Sequence, residues 1–250
     1  MLENKIKVAV IIPAFNCQDT IQRAIESVLN QSYQYFNIYV VNDSSTDGTS
    51  NKLKGYEDKE NIFIINNEFN KGVAESRNVG LRACSENIVS FLDSDDEWMI
   101  DKLEKQMLLI ESGKDIVISN YNYVSNEKLI KVCSSYKNIS KNIFLKKNFR
   151  ICFSSLCFNF KKNPIFFESI GHEDFLYIYN LLSTSDGICV IDYILVNQYH
   201  SHQSLSSNKI KAARWHYLIL QRIIPNVLKR IYYFCFYFIN ALKFELLKRS

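Results

Sequence analysis

Short apolar runs rich in β-branched residues alternate with segments of helical periodicity over the first 119 residues. The run at 7–12 is almost entirely apolar, which is typical of a strand buried on both faces of a sheet. Further runs follow at 38–41, 62–65, 88–92 and 115–119. Between them, apolar side chains recur at the spacing of one helix face. This order predicts an α/β fold with a largely parallel central sheet flanked by helices.

The alternation is weaker in the second half. Periodic segments predict helices there at 139–147, at 173–182 and from 209 onward. Strands are predicted at 188–191 and 194–198. Pro225 is expected to break the last helical stretch. Near the N-terminus, Asp19 followed by Gln22 predicts an N-terminal helix cap. We divide the chain into a body, 1–207, made of parts 1–115 and 116–207, and a helical tail, 208–250.

Charge separates the body from the tail. The 250-residue chain has a net charge of +4, but residues 208–250 hold nine Lys or Arg and a single Glu, so residues 1–207 are acidic, at −4. The tail segment 229–243 is aromatic and flanked by cations. It is too short to span a bilayer, which takes about 20 apolar residues, but it suits a helix lying at a membrane surface. An anionic membrane surface is therefore an expected partner of residues 226–250. The alternative is a helix packed on the body or on a second subunit.

Several function classes lack their sequence signatures. The seven cysteines show no Cys-x-x-Cys spacing, which argues against a zinc ribbon or a disulfide framework. No glycine-rich phosphate loop, Gly-x-Ser-x-Gly or His-Glu-x-x-His occurs. Nucleic-acid binding is not expected, because the body is acidic and holds no recognition motif. With no visible signal peptide, we expect a cytoplasmic protein, peripheral at the inner face of the cytoplasmic membrane if the tail binds lipid.

Carboxylates cluster directly after a predicted strand. Asp93 and Asp95 follow the run at 88–92, and residues two apart on an extended segment point to the same side. Carboxylates in this arrangement suit Mg²⁺ or Mn²⁺, which are completed by diphosphate oxygens. Acidic capping of the next helix is the alternative. Polar loops after two strands, at 42–48 and 93–96, are expected at the same sheet edge, where ligands of such folds bind.

Four segments in fixed order sharpen this interpretation: Val10–Asn16, Val40–Thr49, Asn70–Gly80 and Phe91–Asp96. The third reads Asn-x-Gly-x-Ala-x-Ser-Arg-Asn-x-Gly, and the fourth contains Asp-x-Asp. Together they resemble family 2 glycosyltransferases with the GT-A fold, closely over 7–115 and more loosely to 207. The resemblance implies an inverting enzyme of the hexosyl- or N-acetylhexosaminyl-transferase class. It would move a sugar from a nucleotide-sugar, usually UDP-linked, to a glycan or lipid-linked acceptor in bacterial cell-surface polysaccharide synthesis, using Mn²⁺ or Mg²⁺.

The resemblance also implies site residues. Those expected to bind the nucleotide-sugar are Pro13, Ala14, Asn16, Asp43, Arg77, Asp93, Ser94 and His202, and those expected to bind the metal are Asp93 and Asp95. Two departures stand out. Ser44 occupies a position where the family often has Gly, and the segment around His202 lacks one residue of the related Tyr-Arg-x-His-x-x-Ser-x-Ser stretch. For Asp47, a turn role is the alternative to ligand binding.

A carboxylate base is required to take the proton of the attacking hydroxyl. Glu173 and Asp174 precede a predicted aromatic helix and are similar to the family's Glu-Asp pair, in which the Asp is the base. We therefore assign Asp174 as the base and Glu173 as its support, with helix capping as the alternative. The rival to an enzyme is a non-catalytic nucleotide-sugar-binding or membrane scaffold protein with the same fold. A nucleotidyltransferase is disfavoured, because its glycine-rich loop is missing.

Overall fold

A computed structural model describes residues 5–125, 128–200 and 209–249. Ten strands of this part form one sheet, and they are β1 Val8–Ala14, β2 Phe36–Asn42, β3 Ile62–Asn66, β4 Ile88–Phe91, β5 Glu97–Trp98, β6 Ile116–Ser125, β7 Lys128–Val132, β8 Asn138–Ile139, β9 Cys157–Asn159 and β10 Ile188–Tyr199. The helices are α1 Ile21–Leu29, α2 Thr49–Lys54, α3 Val73–Ala83, α4 Lys102–Glu111, α5 Lys141–Leu145, α6 Glu173–Leu181, α7 Lys209–Ile223 and α8 Val227–Arg249.

The sheet runs in the order β3-β2-β1-β4-β9-β6-β10-β5, with β7 on β6 and β8 on β10. Strands β3, β2, β1 and β4 are mutually parallel, as are β6 and β10. Every residue of β1 and β2 is buried, as the apolar runs predicted. The α/β class with a mostly parallel sheet, flanking helices and C-terminal helices is confirmed. What the runs did not predict is β9, which enters antiparallel between β4 and β6.

Close packing of α3 on β1 explains one glycine. A Cβ on Gly80 would lie 2.5 Å from Cγ2 of Ile11, whose side chain is fully buried in β1. Only a residue without a side chain permits this helix to approach the sheet so closely. The segment leading into α3 supplies the loop at which the candidate site lies, so this contact fixes the site relative to the sheet.

Three local predictions were wrong. Thr20, not Asp19, is the N-cap of α1, and no side chain caps that helix. The strands expected at 188–191 and 194–198 are one strand, β10, with register shifts near Ile191 and Ile194. Residues 93–96 are not extended; they form a turn in which the amide of Asp96 donates to the carbonyl of Asp93. The extended-segment argument for two converging carboxylates therefore does not hold.

Both tail helices pack on the body. The Arg222 guanidinium pairs with Glu168, at 2.6 Å, and His216 of α7 is fully buried beside the ring of Phe175. In α8, Asn240 donates to the carbonyl of Lys146, and Phe244 is 6% exposed. Within the described part of the chain, no helix is both long enough and apolar enough to cross a bilayer. The division of the chain at 115 and 207 stays a prediction.

Candidate active site

Arg77 is the centre of the candidate site. It projects from α3 and is 2% exposed. Its Nη2 donates to Oδ1 of Asp93 at 2.6 Å, and its Nη1 donates to Oδ1 of Asp174 at 2.5 Å. Burial alone would lower the pKa of Arg77, but the charges of Asp174 and Asp93 outweigh it and raise that pKa. One guanidinium therefore joins the carboxylate after β4 to the carboxylate that opens α6.

An aromatic floor holds this guanidinium in place. Its central carbon lies 4.3 Å from the ring centroid of Phe153 and 5.3 Å from that of Phe167. The Phe167 ring is stacked on Tyr177 at 4.0 Å. A planar cation against aromatic faces gains cation–π attraction, which grows as water is removed. The two carboxylates are thus held by a cation that has little freedom to move.

Asp174 lies in the first turn of α6, which begins unusually. His172 precedes the helix in the left-handed region, with φ 56°, and makes no side-chain cap. The Asp174 side chain keeps 44% of its surface and bonds to Arg77. Burial raises the pKa of Asp174 to about 6. The charge of Arg77 opposes this rise, and the charges of Asp93 and Glu173 add to it. A carboxylate with this pKa is ionised at pH 7 and able to accept a proton.

Asp93, Ser94, Asp95 and Asp96 form the turn after β4, and each side chain has its own surroundings. Burial and the neighbouring charge of Asp93 raise the pKa of Asp95 to about 6. Ser94 contacts the thiol of Cys17. Asp96 is 1% exposed and accepts from the Ser154 hydroxyl, at 2.5 Å, and from the amide of Tyr199, at 3.1 Å. Asp96 is therefore structural, whereas Asp93 and Asp95 remain partly open.

These two carboxylates fit a divalent cation that is completed by ligands from a substrate. Among the described residues, no group of three or more His, Cys, Asp or Glu side chains is arranged to hold a metal. Magnesium and manganese, however, bind through one or two carboxylates together with phosphate oxygens. Burial and the charge of Asp93 both disfavour the ionised form of Asp95, and a cation bound beside the two carboxylates would offset that cost.

The loops after β1 and β2 pack against each other. Asn16, with φ 47°, accepts from the amide of Thr46 at 2.8 Å, and its own amide donates to the hydroxyl of Ser45. Pro13 and Ala14, at the end of β1, are buried. The Ala14 carbonyl accepts from the amide of Asp43. Residues predicted from two separate segments therefore meet at one sheet edge.

Asp43 is 3% exposed and organises the loop before α3. Its carboxylate accepts from the Asn67 amide at 2.7 Å and from the backbone amides of Lys71 and Gly72. Ser44, in the position that is often Gly, adopts φ 59°, in the left-handed region that favours glycine. Asp47 accepts from the amide of Thr49 two residues on, which is the turn role offered above as its alternative.

The structure brings together Arg77, Asp93, Asp95 and Asp174, while His202 lies outside the described residues. It also adds residues that no sequence motif indicated. Arg23 of α1 donates to the carbonyl of Asp95 and stacks on Tyr199 at 3.8 Å. Ser154 accepts from the amide of Asp93 while donating to Asp96. A lone cation on a helix and a serine in a three-residue 3-10 helix carry no local signal that sequence reasoning can use.

Comparisons with known proteins bear on the family and the fold. The model of the family described as "Glycosyl transferase family 2" matches residues 9–170. Two Escherichia coli proteins, WfgD and WfaP, both named UDP-Glc:alpha-D-GlcNAc-diphosphoundecaprenol beta-1,3-glucosyltransferase, are 30% and 34% identical, each over 94% of this chain and 94% of their own. A crystal structure of S. aureus TarS in complex with UDP-GlcNAc superposes with a TM-score of 0.73 at 21% identity, over 91% of this chain and 69% of that one.

Proposed function

This chain belongs to glycosyltransferase family 2, and from that premise we propose that it transfers a hexosyl or N-acetylhexosaminyl group from a UDP-sugar to a lipid-linked saccharide, with inversion. The observation that carries the proposal is the pair of contacts of Arg77. Through the single side chain of Arg77, these contacts link Asp93, a candidate metal ligand, to Asp174, the candidate base. Donor activation and acceptor deprotonation have to occur this close together in a direct displacement.

In the proposed reaction, Asp174 accepts the proton of the acceptor hydroxyl as its oxygen attacks the anomeric carbon. The new carbon–oxygen bond forms on the face opposite the nucleotide, the bond to the diphosphate breaks, and the configuration at that carbon inverts. Arg77 keeps Asp174 ionised and oriented, and the adjacent Glu173 supports it as a base because its negative charge raises the pKa of Asp174.

Asp93 and Asp95 are the residues that would hold Mn²⁺ or Mg²⁺, and a metal bound there would neutralise charge on the departing diphosphate. The chain's own contribution is the turn that presents both carboxylates. The Ser154 hydroxyl and the Arg23 guanidinium fix that turn from two sides. Pro13, Ala14, Asn16, Asp43 and Ser94 are proposed to shape the nucleotide-sugar pocket, either directly or by holding its loops. His202 stays a prediction for the same pocket.

The names of WfgD and WfaP support a lipid-linked diphosphate acceptor for this chain, since both proteins match it over nearly their whole length. An acceptor of that kind belongs to a membrane. We therefore propose that the enzyme works in the cytoplasm, at the inner face of the cytoplasmic membrane, in the synthesis of a cell-surface polysaccharide.

Calorimetric titration of UDP tests the donor site. We expect UDP to bind in the presence of Mn²⁺ and to bind at least about tenfold more weakly without it. Without the metal, the diphosphate would be repelled by the negative charges of Asp93 and Asp95. Asp95→Ala is expected to lose the metal-dependent part. Asp58→Ala, an exposed acidic residue removed without touching the site, is the matched control.

The outcomes separate clearly. Metal-dependent UDP binding in the wild type and in Asp58→Ala, but not in Asp95→Ala, supports the donor and metal assignments together. UDP binding that is equal with and without Mn²⁺ would remove the metal from the proposal. No UDP binding under any condition would contradict the proposed donor.

A further inference from the structure

Four cationic residues line one groove of the enzyme. Lys131 of β7, Lys147 and Arg150 after α5, and Lys243 of α8 define this basic groove, which has a volume of about 240 Å³. Among the described residues, no Asp or Glu side chain lines it. Burial and the charge of Arg150 lower the pKa of Lys147 to about 7, as expected where cations crowd together. Such a groove selects an anionic ligand.

The floor of the basic groove is apolar. Ile130, Val132, Phe149 and Phe244 contribute to its lining, and the Arg150 guanidinium stacks on the ring of Phe244 at 4.0 Å. A ligand seated there meets both hydrocarbon surface and positive charge. This combination suits an anionic group attached to an apolar chain better than it suits a free nucleotide or a nucleic acid.

One end of the basic groove reaches the element that carries the candidate base. The ammonium of Lys147 lies 5.1 Å from the ring centroid of Phe175, and Phe175 directly follows Asp174 in the first turn of α6. The same ammonium lies 4.9 Å from the ring of Tyr237 in α8. The groove is therefore joined by direct contacts to both the catalytic helix and the tail.

Beside the groove, α8 presents an exposed apolar face. Its exposed side chains recur at helical spacing, and we call them the apolar stripe: Leu228, Ile231, Tyr232, Cys235, Phe238, Ile239, Leu242 and Leu246. Leu242 is 65% exposed and directly precedes Lys243 of the basic groove. Residues 226–244 contain three cations and no acidic residue. The opposite face of α8 packs on the body, so the stripe is available to a membrane surface.

We propose that the basic groove binds the diphosphate of the lipid-linked acceptor, with the apolar stripe seated in the lipid that carries it. This inference rests on the proposed function and names where the acceptor binds. The diphosphate would lie against the four cations while the sugar beyond it reaches toward Asp174. The polyprenyl chain would leave along α8. Lysine and arginine donate charge-assisted hydrogen bonds to phosphate oxygens, which is the contact expected here.

Vesicle co-sedimentation of the full chain tests the proposal. Phosphatidylcholine vesicles would carry a polyprenyl diphosphate, the matching polyprenol, or phosphatidylglycerol at the same total charge. The test variant is Lys131→Glu/Lys243→Glu, because both residues are exposed and tolerate substitution. The control is Lys59→Glu/Lys114→Glu, which changes the net charge equally at exposed positions outside the groove.

We expect the wild type and the control to bind diphosphate vesicles about tenfold more tightly than either comparison vesicle, and the test variant to lose that advantage. Equal binding to phosphatidylglycerol vesicles would show that only surface charge is recognised, and equal binding to polyprenol vesicles that only the stripe acts. Either result would overturn the proposal, as would unchanged binding by the test variant. Self-association of the lipid-free protein that Leu242→Glu abolishes would assign the stripe to a second copy instead.

UDP titration of the same proteins keeps the two proposals apart. The test variant is expected to bind UDP with Mn²⁺ as the wild type does, because none of its substitutions touches the donor residues. A wild-type protein that binds UDP but shows no preference for diphosphate vesicles would overturn the groove proposal alone. A wild-type protein that prefers diphosphate vesicles but binds no UDP would contradict the proposed donor and still support the groove proposal.

Discussion

Arg77 Nη1 lies 2.5 Å from Oδ1 of Asp174, although the two residues are 97 positions apart in the chain. The same guanidinium bonds to Asp93, so it holds two carboxylates that would repel each other if they met without it. This arrangement ties α3, the turn after β4 and the start of α6 into one unit. It gives Arg77 a role in positioning as well as in charge balance.

Asp174→Asn is expected to lower kcat by about 10²- to 10⁴-fold, because the amide cannot accept the proton of the acceptor hydroxyl. UDP binding should be nearly unchanged, because Arg77, which Asp174 contacts, keeps its ion pair with Asp93 in this variant. Transfer assays and UDP calorimetry on the same protein measure both effects. Asp58→Asn is the control for an exposed carboxylate and should behave as the wild type. Wild-type turnover in Asp174→Asn would show that another group is the base.

The pH profile of the reaction should report the charge of Arg77. Asp174 must be ionised to act as a base, and its pKa is raised to about 6, so kcat/KM is expected to fall as the pH drops through about 6. Arg77→Gln removes the cation that opposes this rise, and the acidic limb should move to higher pH. Arg77→Lys keeps the charge and should restore much of the profile.

Profiles of kcat/KM against pH for the three proteins, with circular dichroism to confirm folding, are the measurement. An acidic limb at the same pH in wild type and Arg77→Gln would mean that Arg77 does not set the ionisation of the base.

Gly80→Ala is expected to lower the free energy of unfolding by about 1–3 kcal/mol, because the new methyl group would press into Ile11 of the buried strand β1. Gly55→Ala is the matched control. Gly55 has φ −65°, and its added Cβ would meet only the Lys52 carbonyl at 3.5 Å. That change should be neutral or stabilise by about 0.4–1 kcal/mol. Urea unfolding of both variants decides the matter, and equal stabilities would refute the close-packing explanation.

Burial of the Lys102 ammonium in the core lowers the free energy of unfolding by an amount that depends on pH. Its ammonium contacts the hydroxyl of Ser90, the amide oxygen of Gln106 and the ring of Trp98, and burial lowers its pKa to about 7. Between this pKa and the unfolded value of about 10.4, the unfolded chain holds the extra proton, so the Lys102 contribution to stability rises with pH by at most about 1.4 kcal/mol per unit. Below about pH 7 the folded state carries the full cost.

Lys102→Met removes that ionisation. Its stability relative to the wild type should therefore be highest at pH 7 and below and should decline as the pH rises toward 10. Urea midpoints of both proteins at several pH values measure the difference. A difference that does not vary with pH would mean that Lys102 keeps an ordinary pKa in the folded protein.

The sequence by itself determined the family and the main strands and helices of residues 1–115. Buried parallel strands are apolar over their whole length, and α1 repeats its apolar residues with helical period, so a single stretch of chain contains the information. Asp93, Asp95, Asp174 and Arg77 also lie in motifs of contiguous residues, so the sequence can nominate them, and their roles stay predictions. Predictions failed where the signal was weak, as at the cap of α1, which no side chain supplies.

Only the tertiary structure decided how those segments meet. Three contacts join residues that are far apart in the chain. Strand β9 inserts between β4 and β6, Arg77 bonds to Asp174, and the Ser154 hydroxyl accepts from the amide of Asp93. Likewise, the sequence allowed α8 to pack on the body or to face a membrane, whereas the structure buries one face and leaves the other exposed. Local periodicity fixes which residues share a face of an element, but the partner of that face is chosen by packing the whole chain into one core.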